Sequence, residues 1–336
     1  MTPLPAVLAV DGGNSKVDVA FVAADGTLLG AARGGGAPFS PGEMEQSVAV
    51  LLGTVRRACL DAGADHERRP VASVGALCLA GADLPVDDRR LLHAIRPLRL
   101  AVDLMLRNDT FAVLRAGTER SWGIGVVCGA GMNCCGVAPG GRTVRFAALG
   151  AISGDDGGGG WVGLQAVRAA VRGHDGRDPH TVLEREVPAA LGKRSLLAVL
   201  EAVQSGELDE CVAGLAPLVL RCAAEGDAVA RSIVERQADE IVAMVVSAAR
   251  RLHLLRRDVH VVLGGGLVLA GDGGFLARIT AGIHAAVPAA LVKPLDVPPV
   301  VGAGLLALDR SGAGGAAELR LRRTLTPERL PTEPEE

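Results

Sequence analysis

Two glycine-rich turns in the sequence have the composition of phosphate-binding loops. The first lies between two apolar runs and reads Asp11-Gly12-Gly13-Asn14-Ser15-Lys16. The second has the same position between a later pair of runs and reads Gly129-Ala130-Gly131-Met132-Asn133. Tight glycine turns expose successive backbone N–H groups that can surround a phosphate. Asp11, at the end of a strand, can also hold Mg²⁺, which prefers oxygen ligands.

Each turn taken alone is at least as typical of an ordinary hairpin. The first lacks the GxxxxGK[ST] spacing of a P-loop. The second fails the GxGxxG pattern because Cys134 stands where the third glycine should be. A strand rather than a helix is expected after it, which disfavours a dinucleotide-binding fold.

A carboxylate that could act as a base follows the apolar run at 100–105. It belongs to the tripeptide Asn108-Asp109-Thr110. Phosphoryl transfer to a hydroxyl requires a carboxylate that orients the hydroxyl and accepts its proton. An Asp at the carboxyl end of a central strand faces the crevice where α/β sheets bind ligands. The alternative is that Asp109 or Thr110 only caps the next helix, and both roles can coexist.

Two further segments could bind the substrates of such a reaction. The pair Asp155 and Asp156, flanked by glycines, could bind vicinal hydroxyls of a sugar or help to hold Mg²⁺. Its alternative interpretation is a capped loop that enters a helix. Gly264-Gly265-Gly266 follows a buried run, and glycines allow a flat group such as adenosine to lie against the backbone. Its alternative interpretation is a flexible turn.

The elements that must position these residues occur twice in the same order. Strands are expected at 6–10, 17–22, 28–29, 73–79 and 100–105, with helices before each of the last two. The pattern restarts with strands at 123–128, 133–137, 143–147 and 259–263, and with helices at 161–171, 236–254 and 300–308. We therefore predict an α/β, two-lobed actin/hexokinase-like (ribonuclease H-like) fold with mixed sheets and a nucleotide cleft between the lobes. We expect lobes at 1–118 and 119–298, a helix at 299–325 that returns toward the first lobe, and a flexible tail at 326–336.

Composition excludes several other classes of protein. The chain has 336 residues, enough for two domains, and a net charge of -3 without a basic block. Aromatic residues make up only 2%, which argues against stacking platforms for nucleic acid. No apolar run approaches the ~20 residues of a membrane span, and the first ten residues lack a basic n-region. With seven Cys and no CxxC pair, we expect a reduced, cytoplasmic protein without nucleic-acid or membrane partners.

These motifs together resemble a known family. From about Val7 to Leu308 the chain resembles the N-acetylglucosamine kinase group of the BadF/BadG/BcrA/BcrD ATPase family. The resemblance is carried by the runs at 11–16, 108–110, 128–134, 153–157 and 263–266. It implies a kinase that uses ATP and Mg²⁺ to phosphorylate the 6-hydroxyl of an amino sugar such as N-acetylglucosamine or glucosamine, and that forms a homodimer.

The resemblance also implies a role for each motif. ATP would contact Gly12, Gly13, Asn14, Ser15, Lys16, Gly129, Ala130, Gly131, Asn133, Gly265 and Gly266. Asp11 would lie near Mg²⁺, and Asp109 would be the catalytic base. The sugar would contact Asn108, Asp109, Gly150, Asp155 and Asp156.

Two departures from the family pattern leave the acceptor open. The segment 34–40 reads Gly-Gly-Gly-Ala-Pro-Phe-Ser, without the Asn that family kinases use against the sugar. The segment 146–152 has fewer glycines than usual and lacks Trp. Two other functions therefore stay open: an actin-like nucleotide switch or regulator without turnover, and an activase that shares a [4Fe–4S] cluster between subunits.

Overall fold

Two five-stranded sheets with the same topology form the core of the computed structural model, which describes residues 5–209, 212–271 and 273–331. The first sheet has the order β3-β2-β1-β4-β5, and the second the order β8-β7-β6-β9-β10. In each sheet the first three strands pair antiparallel and the last two pair parallel. The strands are β1 (Val7–Gly12), β2 (Val17–Val22), β3 (Leu28–Gly34), β4 (Ala72–Leu79), β5 (Ala101–Asn108), β6 (Gly123–Cys128), β7 (Met132–Val137), β8 (Thr143–Arg145), β9 (His260–Gly264) and β10 (Leu291–Pro294).

Helices connect the parallel strands and cover the sheets. The first lobe contains α1 (Met44–Asp61), α2 (Pro85–Ile95) and α3 (Asp109–Gly117). The second contains α4 (Gly158–His174), α5 (Leu183–Ala190), α6 (Leu196–Gln204), α7 (Ala216–Ala224), α8 (Ala228–Leu252), α9 (Gly266–Ala270) and α10 (Gly273–Ala286). The chain continues into α11 (Pro299–Ser311) and α12 (Gly315–Thr324). Among these described helices, none is long and apolar enough to cross a membrane.

The predicted fold class is confirmed, including the restart of the strand pattern. Two details differ from the prediction. β5 is the edge strand of its sheet rather than a central one, so the residues that follow it lie at the side of the sheet. The segment 299–325, predicted as one helix, is divided into α11 and α12. The positions of the lobe boundaries stay a prediction.

The C-terminal helices pack on the first sheet. Side chains of α11 and α12 share a buried cluster with Val7 and Ala9 of β1. Part of the segment predicted as a flexible tail also packs here, because Leu330 is buried and the Arg33 N–H donates to the Pro331 carbonyl at 3.1 Å. The remainder of that predicted tail, 332–336, lies outside the described residues.

Helix α3 stands between the two lobes and is fixed by charge. Arg115, near its end, donates through Nε to Asp309 of α11 at 2.8 Å and through Nη2 to Glu318 of α12 at 2.8 Å. The Arg115 side chain is 7% exposed, so the two carboxylates compensate a guanidinium that is largely removed from water. The helix that begins at Asp109 is therefore held by the C-terminal helices at its other end.

Candidate active site

The first glycine turn is a hairpin between β1 and β2 that the following loop supports. The Gly13 N–H donates to the Lys16 carbonyl at 2.9 Å, which closes the turn. The Ala37 N–H donates to the Gly13 carbonyl at 2.9 Å. Gly36 lies so close that a Cβ there would stand 2.0 Å from the Asn14 carbonyl oxygen. The segment 34–40, which departs from the family pattern, is therefore packed directly on this turn.

Asp18, which sequence reasoning missed, anchors the lysine of this turn. It is fully buried and accepts bonds from Arg33 Nε at 2.6 Å and Nη2 at 2.9 Å. Its Oδ2 also lies 3.2 Å from Lys16 Nζ. Because Asp18 is the second residue of β2 and Lys16 directly precedes that strand, period-two alternation could have indicated this pair. Asp18 holds the Lys16 ammonium next to the turn.

The second glycine turn rests on the start of α4. The Gly129 N–H donates to the Gly131 carbonyl at 2.9 Å within the turn. The N–H groups of Gly159 and Gly160 donate to the carbonyls of Gly129 and Ala130 at 2.7 and 2.9 Å. A Cβ added at Gly129 or Gly131 would meet no other atom within 4 Å, so one side of this turn is open to a ligand.

The triple glycine touches the second turn from the other side. Gly265 has φ of +100°, and a Cβ there would stand 2.3 Å from the Cys128 carbonyl oxygen, directly before Gly129. Helix α9 begins at Gly266 and ends at Ala270. Ala270 lines a cavity of about 520 Å³ between α7, α8 and α10. Four residues of helix rise roughly 6 Å, so the cavity lies close to Gly266.

Two carboxylates, the buried Asp11 and the partly buried Asp109, lie at the ends of β1 and β5. Burial raises the pKa of Asp109 to about 6, although backbone N–H groups at the start of α3 oppose the rise. Burial also raises the pKa of Asp11 well above its ordinary value, and the charges of Asp18 and Asp109 raise it further. Asp11 and Asp109 are thus close enough for one carboxylate to disfavour ionisation of the other.

The residue that caps α3 is Asn108, not Asp109 or Thr110. Its Oδ1 accepts the Thr110 N–H at 3.0 Å, while its Nδ2 donates to Asp83 Oδ1 at 2.9 Å. The alternative that Asp109 serves only as the cap is therefore wrong. Asn133 of the second turn donates to the same Asp83 oxygen at 2.8 Å. Sequence reasoning did not single out Asp83, which lies in the loop between β4 and α2.

The paired aspartates before α4 point in different directions. Asp155 is 8% exposed, accepts a short hydrogen bond from the Ser153 hydroxyl, and its N–H donates to the Gly150 carbonyl at 3.1 Å. The charge of Asp155 helps to raise the pKa of Asp83, so the Asp155 carboxylate lies near Asp83. Asp156 is more exposed, and its Oδ2 lies 3.8 Å from Arg236 Nη2.

The structure thus brings several of the predicted residues close together, while Asp156 lies toward Arg236. Asp11, Asp109, Asp83 and Asp155 influence one another electrostatically, and Asn133 joins them to the second glycine turn. Gly265 reaches the same turn through Cys128. The arrangement offers two sets of backbone donors and a cationic side chain for an anion, and beside them a buried carboxylate that can accept a proton.

A family model independently covers almost the whole chain. The model of the BadF/BadG/BcrA/BcrD ATPase family matches residues 8–307, which include every motif described above. The chain belongs to this family.

Characterised relatives of this family member are sugar kinases by name. An N-acetylmuramic acid/N-acetylglucosamine kinase of Clostridium acetobutylicum is 27% identical over 263 residues, which are 78% of this chain and 85% of the relative. An N-acetyl-D-glucosamine kinase of Dictyostelium discoideum is 24% identical over 315 residues, 90% of this chain and 97% of the relative.

Solved structures agree with the two-lobed architecture. A candidate N-acetylglucosamine kinase of Chromobacterium violaceum superimposes with a TM-score of 0.72 at 26% identity, over 90% of this chain and 99% of the other. A ROK family glucokinase of Streptomyces griseus, solved with glucose and AMPPNP, gives 0.58 at 18% identity, over 90% and 99% of the two chains. The latter likeness concerns the fold alone.

Proposed function

We propose that this protein is an ATP-dependent sugar kinase that transfers the γ-phosphoryl group to a hydroxyl of an amino sugar such as N-acetylglucosamine or glucosamine. We take the 6-hydroxyl as the acceptor. The observation that carries the proposal is the placement of Asp109, a partly buried carboxylate whose charge acts on Asp11 beside the first glycine turn and on Asp83, the partner of Asn133 in the second. The kinase names of the relatives agree with it.

The nucleotide is expected to lie across the second lobe. Its phosphates would be held by the N–H groups of the turns at 12–16 and 129–133 and by Lys16, which Asp18 orients. The adenosine would lie against Gly265 and Gly266, with the base toward the cavity that Ala270 lines. The flanking apolar and aromatic side chains there are Leu220, Val234 and Phe275.

The donor set also fits a magnesium ion. In the part of the chain that the structure describes, no group of three or more His, Cys, Asp or Glu side chains is arranged to hold a metal. Mg²⁺ is usually bound by one or two carboxylates together with phosphates and waters. Asp11 is such a carboxylate, at the end of β1 beside the first turn. When bound, the ion would neutralise charge that develops on the phosphates.

Asp109 would perform the proton transfer. The acceptor hydroxyl oxygen bonds to the γ-phosphorus while the bond from that phosphorus to the β–γ bridging oxygen breaks, and ADP leaves. The hydroxyl proton passes to the Asp109 carboxylate. A carboxylate with a raised pKa is a stronger base than an exposed one and is still ionised at neutral pH. Asp155 and Asn108 would orient the sugar beside it.

The pH dependence of turnover follows from Asp109. Only the ionised carboxylate can accept the proton, and burial holds its pKa at about 6. We therefore expect kcat/KM to decrease by about tenfold per pH unit below pH ~6. The measurement is sugar-dependent ADP release from pH 4.5 to 8.5, with coupling enzymes shown to be in excess throughout. A rate that stays constant down to pH 5 would exclude Asp109 as the base.

Two adjacent glycines provide a matched pair for the nucleotide site. Gly265→Ala places a Cβ 2.3 Å from the Cys128 carbonyl and requires an alanine at φ of +100°, so we expect a lower Tm and a disturbed second turn. At Gly266, the first residue of α9, an added Cβ meets nothing within 4 Å. We expect Gly266→Ala to keep the wild-type Tm but to weaken ATP binding, measured by calorimetry. Unchanged affinity in Gly266→Ala would place the adenosine elsewhere.

The proposed function is tested by an acceptor panel. ADP release would be measured with ATP and Mg²⁺ and, in separate reactions, N-acetylglucosamine, glucosamine, N-acetylmannosamine, N-acetylmuramate, glucose or no sugar. We expect at least one amino sugar to stimulate release, and ³¹P and ¹H NMR of the product to locate the phosphate. ATP binding with equal background in every reaction would instead favour the nucleotide-switch function. The homodimer stays a prediction, which light scattering of the same preparation would check.

A further inference from the structure

The loop between β4 and α2 contains a carboxylate oxygen that is shared by the two lobes. Asp83 Oδ1 accepts one hydrogen bond from Asn108 Nδ2 at 2.9 Å and another from Asn133 Nδ2 at 2.8 Å. Asn108 is the last residue of β5 in the first sheet, whereas Asn133 belongs to β7 in the second. A single atom therefore joins the ends of two strands that no backbone hydrogen-bond ladder connects.

Both carboxamides are fixed at their other end as well. Asn108 Oδ1 accepts the Thr110 N–H at 3.0 Å, and Asn133 Oδ1 accepts the Cys134 N–H at 2.7 Å. A carboxamide bonded through oxygen on one side and nitrogen on the other cannot turn over without losing both bonds. Each Nδ2 carries two protons, so the bond to Asp83 leaves a second N–H on each amide to bind a ligand.

A second residue of the second lobe also binds the loop between β4 and α2. Arg145 of β8 donates through Nη1 to the Ala82 carbonyl at 3.0 Å. It also forms a bidentate pair with Asp88 of α2, at 3.0 and 2.8 Å. The residue directly before Asp83 is thus held by the opposite lobe. Bidentate guanidinium pairs fix geometry as well as charge, so the position of Asp83 relative to Asn133 is well determined.

We propose that Asp83 is a positioning residue that aligns the acceptor site with the phosphate loop by holding the amides of Asn108 and Asn133 across the lobe interface. This inference rests on the proposed kinase function, in which Asn108 contacts the sugar and Asn133 belongs to the loop that holds the phosphates. Phosphoryl transfer requires the attacking hydroxyl oxygen and the leaving bridging oxygen to lie in line on opposite sides of the phosphorus. A displacement of ~1 Å can cost roughly 10²-fold in rate.

We expect the ionisation of Asp83 to affect the pH dependence of kcat. Burial raises its pKa to about 7, the neighbouring carboxylates Asp109, Asp87 and Asp155 raise it too, and Arg145 opposes the rise. An ionised acceptor makes stronger hydrogen bonds than a neutral one. The hydrogen bonds from both amides to Asp83 should therefore weaken as the pH falls through about 7, before Asp109 is protonated.

The test compares Asp83→Ala, Asp83→Asn and a control, Asp103→Ala. Alanine removes the acceptor for both amides, so we expect kcat to fall about 30- to 100-fold, with smaller changes in KM for ATP and sugar. Asparagine keeps an Oδ1 in the same place, so we expect kcat within about fivefold of wild type and a profile without the step near pH 7. Asp103 lies on β5 and pairs with the partly exposed Arg310, so its loss should change kcat less than twofold.

A second measurement does not depend on turnover. Hydrogen exchange of the peptides that cover 108–112 and 129–135 should accelerate in Asp83→Ala but not in Asp83→Asn, because the Thr110 and Cys134 N–H groups lose fixed partners. Wild-type kcat and wild-type exchange in Asp83→Ala would overturn the inference and leave the kinase function intact. Faster exchange in a protein that phosphorylates no sugar would overturn the kinase function and the alignment role together.

Discussion

Replacing Asp109 by Asn is expected to abolish sugar-dependent ADP release, with kcat reduced by about 10³-fold, while ATP still binds. The amide has nearly the shape of the carboxylate but cannot accept the hydroxyl proton, and general-base catalysis is worth roughly 10²- to 10⁴-fold. The turns that hold the phosphates do not contain Asp109, so ATP affinity by calorimetry should stay within about twofold of wild type. Turnover within tenfold of wild type would contradict the proposed mechanism.

Asp109→Asn should also change the thermal stability, in a direction opposite to that expected of a variant with a damaged fold. Burial raises the folded-state pKa of Asp109 to about 6, above its ordinary value of 3.8. A carboxyl whose pKa is raised on folding stabilises the fold at low pH, and this contribution is lost as the pH rises through about 6. At pH 8 the wild type therefore carries a partly desolvated charge that the Asp109→Asn variant lacks.

The Tm of Asp109→Asn at pH 8 should accordingly equal or exceed that of the wild type, and the difference should shrink at pH 5. Scanning calorimetry at both pH values measures this. Asp103→Asn is the matched control, because Asp103 is partly exposed on β5, the strand that leads to Asp109, and Arg310 lowers its pKa. We expect the control to keep its activity. An Asp109→Asn protein that is both inactive and less stable at pH 8 would indicate a structural role instead.

Local sequence patterns were sufficient to predict most of the strands. Val17–Val22 and Gly123–Cys128 were predicted with the observed bounds, because each is an apolar, β-branched run that ends at turn residues. β5 extends three residues beyond the prediction, because its edge pairs with β4 as far as Asn108. Hydrophobic periodicity does not reveal this polar end, which pairing with β4 keeps extended and where Asn108 is buried.

The residues that the sequence did not reveal are those whose partners are distant in the chain. Asp83 is surrounded locally by a glycine, a leucine and a proline, which suggest only a turn before a helix. Its two amide partners lie 25 and 50 positions away. Asp18 resembles any polar residue on a strand until Arg33, 15 positions later, is placed on it by the register of β2 and β3. Such roles follow from tertiary pairing, which no local pattern contains.

The glycine turns were predictable because the phosphate binding that we propose for them uses the backbone. Glycine turns must follow strands for their N–H groups to converge, so their order along the chain indicates the fold and the proposed nucleotide site together. The sugar site is different, since specificity depends on side-chain hydrogen bonds placed within a fraction of an ångström. We expect such contacts from the segments 34–40 and 146–152, whose loop conformation sequence spacing does not determine.

A glycine where two helices cross predicts the largest effect on stability. At Gly302 of α11, an added Cβ would stand 1.9 Å from the Ala112 carbonyl oxygen and 2.7 Å from the Ala116 N of α3. Both obstacles are backbone atoms, so the helices must separate rather than rearrange a side chain. Overpacking of a well-packed core costs typically about 1–3 kcal/mol and occasionally more. For Gly302→Ala we expect a loss of about 3 kcal/mol, measured by urea unfolding.

Separation of α3 from α11 should also reduce catalysis. Helix α3 begins at Asp109, and its other end is fixed to α11 and α12 through Arg115. A shifted α3 moves the base relative to the acceptor, so kcat of Gly302→Ala should fall by about tenfold or more even at temperatures where the variant is fully folded. Gly53→Ala is the control: Gly53 lies within α1, where the nearest atom to an added Cβ is 3.9 Å away. Alanine favours a helix over glycine by about 1 kcal/mol, so this variant should be as stable as the wild type or more so, with unchanged kcat. If Gly302→Ala behaved like Gly53→Ala, the close contact between α3 and α11 would not position Asp109.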